Sequence, residues 1–133
     1  MSVELNHTII HARDKRSSAE FLARILDVPV SPQWGPFIPV SVANGITLDY
    51  LDDPGEFTAQ HYAFLVGEDD FDAAYTRLLD GGVQIWADPH QQQPGEINHH
   101  DGGRGVYFQD PDGRLIELIT RPYGSTRERR GLA

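Results

Sequence analysis

A histidine-led pattern occurs twice in this chain, and the second copy begins 54 positions after the first. This shift places His7 on His61 and Phe21 on Tyr75. Each copy starts with a strand-like run and continues into a helix with one apolar face at 3.6-residue spacing. The repeat therefore predicts a fold built from two similar halves, in which the two histidines occupy equivalent positions.

Capping signals mark the ends of the two predicted helices. In the first half, Ser17 to Glu20 forms a capping box, so Ser17 is the predicted N-cap, and Val28-Pro29 ends the helix. In the second half, Asp69 is the predicted N-cap and Gly81-Gly82 supplies a left-handed stop. Both helices are therefore bounded by residues that satisfy or interrupt the terminal backbone groups.

Short strand candidates lie around these helices, separated by the turns Asn44-Gly45 and Asp110 to Gly113. The predicted strands are residues 5–11, 36–43 and 46–51 in the first half, and 61–66, 83–86, 105–108 and 115–120 in the second. Residues 89–104 form an inserted loop, and loops of this length are usually functional or mobile. We expect one domain over residues 1–121, with modules at about 3–53 and 58–121, followed by a flexible C-terminal tail, 122–133.

The composition limits the functions open to this chain. Its 133 residues fit one domain, and 39% apolar against 23% charged residues allows a substantial core. The net charge of −9 argues against nucleic-acid binding, which needs a basic surface. No apolar run approaches the roughly 18 residues of a membrane span, and the first residues lack a secretory pattern, so we expect a cytoplasmic protein. Cysteine is absent, so a metal site must use histidine nitrogen and carboxylate oxygen.

Glu117 lies in an apolar stretch that runs from Leu115 to Ile119. Because strand residues alternate between faces, Glu117 has apolar neighbours on its own face and on the opposite one. A carboxylate in such a run is expected to be buried, and an unpaired buried charge costs on the order of several kcal/mol. Glu117 therefore requires an arginine partner, access to water at an edge strand, or a metal ion.

The two histidines of the repeat favour the metal ion. A lone strand histidine is more often a hydrogen-bonded core residue than a ligand, but His7 and His61 occupy equivalent positions and accompany a buried glutamate. Two imidazoles and one carboxylate hold Fe(II), or another borderline metal, while leaving positions open for substrate. We therefore predict a divalent metal bound by His7, His61 and Glu117, with Fe(II) favoured and Mn(II), Ni(II) or Zn(II) as alternatives.

This order of elements resembles the vicinal-oxygen-chelate superfamily, which includes glyoxalases, extradiol dioxygenases, fosfomycin-resistance enzymes and bleomycin-resistance proteins. The resemblance covers about residues 3 to 121. It implies an α+β fold in which two βαβββ modules form one curled-sheet cleft with a metal at its base. It also implies a small-molecule substrate and, as in many members, a homodimer.

The stretch from Asn98 to Glu117 resembles the pattern of extradiol ring-cleavage dioxygenases in particular. In that pattern a histidine precedes an apolar-Tyr pair, an Asp-Pro-x-Gly turn and the ligand glutamate. The likeness implies two catalytic residues: Tyr107, which would hydrogen-bond the substrate, and His100, which would line the pocket. Residues 46–60 lack the further acid-base histidine of those enzymes, and the chain is about half their common length.

Three more residues are candidates for binding the substrate. Aligning residues 45–50 on 113–118 puts Asp49 opposite Glu117, a position where glyoxalase-like members supply a fourth ligand. Asp49 would then bind the metal, contact it through water, or line the pocket. Trp34 is a candidate aromatic wall, with core packing as the alternative. Arg104, among the glycines of 102–105, is a candidate for meeting an anionic substrate.

Three functions fit these residues. The leading interpretation is a mononuclear metal enzyme, related to extradiol dioxygenases, that acts on a catechol-like substrate. The first alternative is a lyase or isomerase of the glyoxalase type, in which the metal polarises an enediolate. The second is a non-enzymic protein that sequesters a small molecule such as an antibiotic, and the presence of the ligand triad argues against it.

Overall fold

The two sequence halves form separate small sheets, each accompanied by one helix. The computed structural model describes residues 2–125, and within them the chain divides into unit 1 (2–59 and 110–113) and unit 2 (60–109 and 114–125). The elements of unit 1 are β1 (His7–Ala12), α1 (Lys15–Leu26), β2 (Phe37–Ser41) and β3 (Thr47–Asp52). Those of unit 2 are β4 (Tyr62–Leu65), α2 (Glu68–Asp80), β5 (Ile85–Trp86), a 3-10 turn (His100–Gly102), β6 (Gly105–Gln109) and β7 (Leu115–Ile119).

The sheet of unit 1 has the strand order β1-β3-β2, with β1 parallel and β2 antiparallel to β3. Side chains alternate across it because successive residues of a strand point to opposite faces. One face is buried and contributes Ile10, Ile38, Val40, Leu48 and Tyr50 to the core, together with Leu22 and Ile25 of α1. The other face carries His7 and Asp49. The register places Ile9 and Pro39 on either side of Asp49.

The sheet of unit 2 repeats this plan with one more strand, in the order β4-β7-β6-β5. Here too the first strand is parallel to the central one, and Ala63 lies opposite Glu117. The antiparallel neighbours place Tyr107 opposite Glu117 and Trp86 opposite Tyr107. The reverse face is buried through Ile85, Val106, Phe108, Ile116 and Leu118. The predicted α+β class with two related modules is thereby confirmed.

The predicted start of the first helix is wrong. Helix α1 begins at Lys15, and Asp14 is the N-cap because its carboxylate accepts from the backbone N–H groups of Arg16 and Ser17, each at 3.1 Å. Ser17 therefore lies inside the helix and no capping box forms around it. An aspartate is as good an N-cap as a serine, and Asp14 comes first along the chain.

The predicted N-cap of the second helix is also wrong. Helix α2 begins at Glu68, and its N-cap is Gly67, which has no side chain to accept a hydrogen bond. Asp69 lies within the first turn beside two other acidic residues, where negative charge is favourable to the helix dipole. The predicted stop at Gly81-Gly82 is confirmed, with Gly82 in the left-handed region at φ 68°. Neither helix in residues 2–125 is long and apolar enough to cross a membrane.

Candidate active site

Glu117 lies in the centre of β7 and is buried, with only 2% of its surface exposed. Strands β4 and β6 flank β7 and place Ala63 and Tyr107 beside Glu117 on the same face of the sheet. The Oε1 atom of Glu117 lies 3.1 Å from Nε2 of His61, whose ring is about half exposed. The group that faces Oε1 of Glu117 is therefore an imidazole and not an arginine.

The orientation of the His61 ring is set by its other nitrogen. Nδ1 lies 2.9 Å from the carbonyl oxygen of Leu115, and since a carbonyl only accepts, Nδ1–H must be the donor. In the neutral ring, Nε2 then presents a lone pair toward the carboxylate of Glu117, which is also an acceptor. Two acceptors at this distance repel each other unless Nε2 carries a proton or a cation binds to both atoms. A backbone carbonyl that fixes the histidine tautomer in this way is typical of metal-binding histidines.

Two tyrosines surround the second oxygen of the carboxylate. Tyr123 donates its hydroxyl proton to Oε2 of Glu117, and the Tyr107 hydroxyl lies 3.0 Å from that of Tyr123. Burial, followed by hydrogen bonding to Glu117 and its negative charge, raises the pKa of Tyr107 well above its usual range. Tyr107 therefore keeps its proton at neutral pH and acts as a hydrogen-bond donor. Its ring also lies alongside that of His61, with centroids 6.2 Å apart.

Tyr123 belongs to a stretch that we expected to be a flexible tail. Residues 122–125 instead form a turn, in which Ser125 N–H donates to the Pro122 carbonyl at 3.1 Å and Gly124 N–H donates to Asp101 Oδ2 at 3.0 Å. The remainder of that predicted tail, 126–133, lies outside the described residues. Sequence reasoning missed Tyr123, although one signal was available: an aromatic residue directly after Pro122, three residues beyond the end of the strand that carries the glutamate.

His100, which the sequence predicted as a pocket-lining catalytic residue, lies close to this turn. A cavity of about 340 Å³ is lined by His100, Asp101, Tyr123 and Gly124. The His100 ring meets the ring of Tyr123 edge-on, with centroids 6.4 Å apart. His100 therefore contacts Tyr123, which in turn contacts Glu117.

In unit 1, His7 and Asp49 line a second cavity of about 360 Å³, together with Asn6, Trp34, Pro39 and Thr47. Asp49 is 9% exposed, and none of the hydrogen bonds or ion pairs of the described residues involves its carboxylate. Trp34 is 70% exposed and stacks on Phe37, with centroids 6.2 Å apart, so it forms a wall of the cavity and is not a core residue. His7 Nδ1 lies 2.7 Å from Oδ1 of Asn6, and Nε2 has no hydrogen-bond partner among residues 2–125.

Arg104 does not present a free charge to an anionic substrate. Its guanidinium donates to Oε1 of Glu68 at 2.8 Å and to Oδ1 of Asp72 at 2.6 Å, and it lies over the Phe71 ring at 4.6 Å. These carboxylates raise the pKa of Arg104, with Asp72 making the larger contribution. Arg104 therefore joins the start of β6 to helix α2.

Of the three predicted metal ligands, the structure brings His61 and Glu117 together within unit 2, while His7 lies in unit 1. Among residues 2–125, no group of three or more histidine, cysteine, aspartate or glutamate side chains is arranged to hold a metal ion. The His61 and Glu117 pair fits a cation by its chemistry, since a lone-pair nitrogen and a carboxylate oxygen face the same point. His7 remains a predicted third ligand.

A family model described as the Glyoxalase/Bleomycin resistance protein/Dioxygenase superfamily matches residues 4–118. This range includes both modules and all three predicted metal ligands.

Three similar proteins add detail. The solved structure of oxidase ChaP-H2 is 61% identical, with a TM-score of 0.93, and the match covers 95% of this chain and 99% of that one. Oxidase ChaP-H1 is 52% identical, with a TM-score of 0.90, and the match covers 93% of this chain and all of that one. Glutathione transferase FosA from Serratia marcescens is 31% identical over 124 residues, which is 89% of this chain and 81% of that protein.

Proposed function

The chain belongs to the glyoxalase/bleomycin resistance protein/dioxygenase superfamily, and we propose on that basis that it is a mononuclear metal-dependent enzyme that oxidises a small molecule with O₂. The similar proteins named above are enzymes, and the two with the higher identity are oxidases. The substrate class we propose is a catechol-like compound, whose two neighbouring oxygen atoms would both bind the metal. Both atoms of O₂ would enter the product, so that no external reductant is required.

One observation carries this proposal: His61 Nε2 and Glu117 Oε1 face each other at 3.1 Å while the Leu115 carbonyl holds Nδ1. We propose His61, Glu117 and His7 as the ligands and Fe(II) as the metal, with Mn(II), Ni(II) or Zn(II) as alternatives. Fe(II) supplies direct binding of the substrate oxygens and of O₂.

The surrounding side chains would bind the substrate and manage its protons. Tyr107 is protonated at neutral pH, and on substrate binding its hydroxyl proton would turn from Tyr123 to a substrate oxygen that gains negative charge. Asp49 carries an acceptor with no partner among the described residues, and it would accept a hydrogen bond from a substrate hydroxyl. Trp34 offers an exposed, flat indole for packing against an aromatic ring. His100 would line the outer part of the pocket.

A thiol transfer is the second candidate, because FosA is named a glutathione transferase and matches most of this chain. The chain has no cysteine of its own, so the thiol would have to be a co-substrate. The two candidates differ in what they consume: the first uses O₂ and the second uses a thiol.

We further propose that the enzyme is a homodimer. Several large apolar side chains are exposed near the ligand-bearing strands, and a second copy would cover them. They are Leu5 at 63%, Ile9 at 43% and Leu65 at 62% exposure. Ile9 shares a strand face with His7, and Leu65 shares one with Ala63, which lies opposite Glu117.

Metal analysis of the purified protein tests this function. We expect close to one metal ion per site in the parent protein, and a strong loss in His7→Ala, His61→Ala and Glu117→Ala. His90→Ala, at an exposed histidine of the loop, is the matched control and should bind metal normally.

Anaerobic loading with Fe(II), followed by catechols and O₂, then tests the reaction. One O₂ consumed per substrate, with both labelled atoms in the product, supports the oxidation. Loss of thiol without O₂ uptake would favour thiol transfer, and a protein with no affinity for divalent metals would overturn both.

A further inference from the structure

The chain after β7 returns to Glu117 as a short strap, which we define as residues 121–125. Two hydrogen bonds hold the strap together: Arg121 Nε–H to Ser125 Oγ at 3.3 Å, and Ser125 N–H to the Pro122 carbonyl at 3.1 Å. A third, from Gly124 N–H to Asp101 Oδ2 at 3.0 Å, ties the strap to the 3-10 turn of the long loop. The strap is therefore closed on itself around Tyr123 and tied to the long loop at Gly124.

The two oxygens of Glu117 consequently have different partners. Oε1 faces Nε2 of His61, and Oε2 accepts the hydroxyl proton of Tyr123. A phenol hydroxyl has one proton, and Tyr123 donates that proton to Oε2 of Glu117. In its contact with Tyr107, the Tyr123 oxygen is therefore the acceptor and the Tyr107 hydroxyl is the donor. The carboxylate cannot rotate about its axis without losing the bond from Tyr123. Hydrogen bonds of this kind to a ligand carboxylate set its orientation and often change metal affinity.

We propose that Tyr123 is a positioning residue, which holds Oε2 of Glu117 so that Oε1 alone faces His61 and the metal. This inference rests on the proposed function, since it assumes that Glu117 binds a cation. A carboxylate that binds through one oxygen leaves a further coordination position for substrate or O₂, whereas one that binds through two fills it. Tyr123 thereby acts through Glu117 and needs no contact with the substrate.

The hydrogen bond from Gly124 to Asp101 connects the long loop, residues 89–104, to the strap that holds Tyr123. Asp101 has a left-handed backbone, at φ 56°, which lets its side chain reach the strap. The adjacent His100 ring packs edge-on against Tyr123. Displacement of the loop would therefore loosen Tyr123 and, through it, the orientation of Glu117.

Binding of Co(II), measured without substrate, tests the proposal. We compare the parent protein with Tyr123→Phe, which keeps the ring and its contact with His100 but removes the hydroxyl. We expect the dissociation constant for Co(II) to rise by about tenfold. We also expect the visible spectrum of bound Co(II) to change, because the released Oε2 becomes free to coordinate as well. Tyr75→Phe, which removes a tyrosine hydroxyl from helix α2, should match the parent in both respects.

Asp101→Gly is the second variant, since glycine tolerates the left-handed backbone and removes the anchor of the strap. This variant should also raise the dissociation constant for Co(II). It provides an independent test if Tyr123→Phe does not fold. Equal affinity and an identical spectrum in the parent and in a folded Tyr123→Phe would overturn the positioning role alone. A parent protein that does not bind Co(II) would overturn this inference together with the proposed metal centre.

Discussion

Asp49 occupies the place in unit 1 that Glu117 occupies in unit 2. Each carboxylate lies at the third position of its sheet's central strand, beside a parallel first strand and an antiparallel neighbour. Where Glu117 has Tyr107 as its antiparallel partner, Asp49 has Pro39, which offers no hydroxyl. Each module therefore places a carboxylate at the equivalent position of its own sheet, but among the described residues only the carboxylate of unit 2 has hydrogen-bond donors beside it.

The first prediction concerns Asp49, whose buried carboxylate has no hydrogen-bond or ion-pair partner among residues 2–125. Asp49→Asn should raise the melting temperature, because a neutral amide is less costly to bury than an unpaired charge. It should leave metal content unchanged and weaken substrate binding by about tenfold, because the amide oxygen still accepts the hydrogen bond but carries no charge. Thermal melting, metal analysis and KM check these outcomes. A parallel loss of metal would instead make Asp49 a ligand.

The second prediction concerns whether His7, the proposed third ligand, comes from the same copy of the chain as His61 and Glu117 or from a second copy. We expect module 1 of one copy to lie against module 2 of a second, because each ligand-bearing face exposes an apolar side chain, Ile9 in one unit and Leu65 in the other. Co-expression of His7→Ala with Glu117→Ala should then restore one intact site in each mixed dimer, and about a quarter of the parental activity overall. Each variant alone should be inactive. Mixed dimers with no activity would show that each site is built from one chain.

The third prediction separates the observed helix cap from the one expected from the sequence. Asp14→Ala should lower the melting temperature, because it leaves the backbone N–H groups of Arg16 and Ser17 without an acceptor. Ser17→Ala should have a smaller effect, since Ser17 lies inside α1. These bonds, led by that from the Ser17 backbone, lower the pKa of Asp14. A larger effect of Ser17→Ala would contradict the placement of the cap.

The fourth prediction is a pH dependence at Glu68. Hydrogen bonds from Thr120 and then Arg104 lower the pKa of Glu68 below its ordinary value of 4.5. A carboxyl group with a lowered pKa in the folded state stabilises the protein above pH 4.5, and this contribution is lost as the pH falls through the lowered value.

Glu68→Gln should therefore reduce the melting temperature at pH 7, and this loss should shrink as the pH falls through the lowered pKa of Glu68. The Glu68 side chain is 57% exposed, so the difference should be small and should shrink further in high salt. Glu96→Gln, at an exposed site in the loop, is the control and should show no such pH dependence. A loss from Glu68→Gln that did not change with pH would contradict the ion-pair origin.

Local patterns predicted much of the fold because they reflect short-range forces. The period-2 alternation around Glu117 follows from strand geometry, and the 3.6-residue spacing of α1 follows from helix geometry. The helix starts were less predictable, because Asp14 and Ser17 are both good caps and only the path of the chain selects between them.

The residues of the candidate site also fall into a predictable and an unpredictable group. His61 and Glu117 could be chosen from the sequence because a charge in an apolar strand needs a partner. Tyr123 could not, because its contact with Glu117 depends on a chain reversal after β7 and on an anchor to Asp101, which is 23 residues away in sequence from Gly124. The ion pairs of Arg104 could not be predicted from the sequence either, since the carboxylate partners lie on helix α2, more than 30 residues earlier in the chain.

By itself, the sequence determined the kinds of element, the twofold repeat and the residue types from which a cation site could be made. These follow from periodicity and from the free energy of burying charge, both of which act on residues close together in the chain. Only the tertiary structure decided which nitrogen of His61 faces Glu117, and which hydroxyl holds the other carboxylate oxygen. A hydrogen bond depends on distances at the scale of tenths of an ångström and on direction. Groups that are far apart in the sequence reach such a geometry only through the folding of the whole chain.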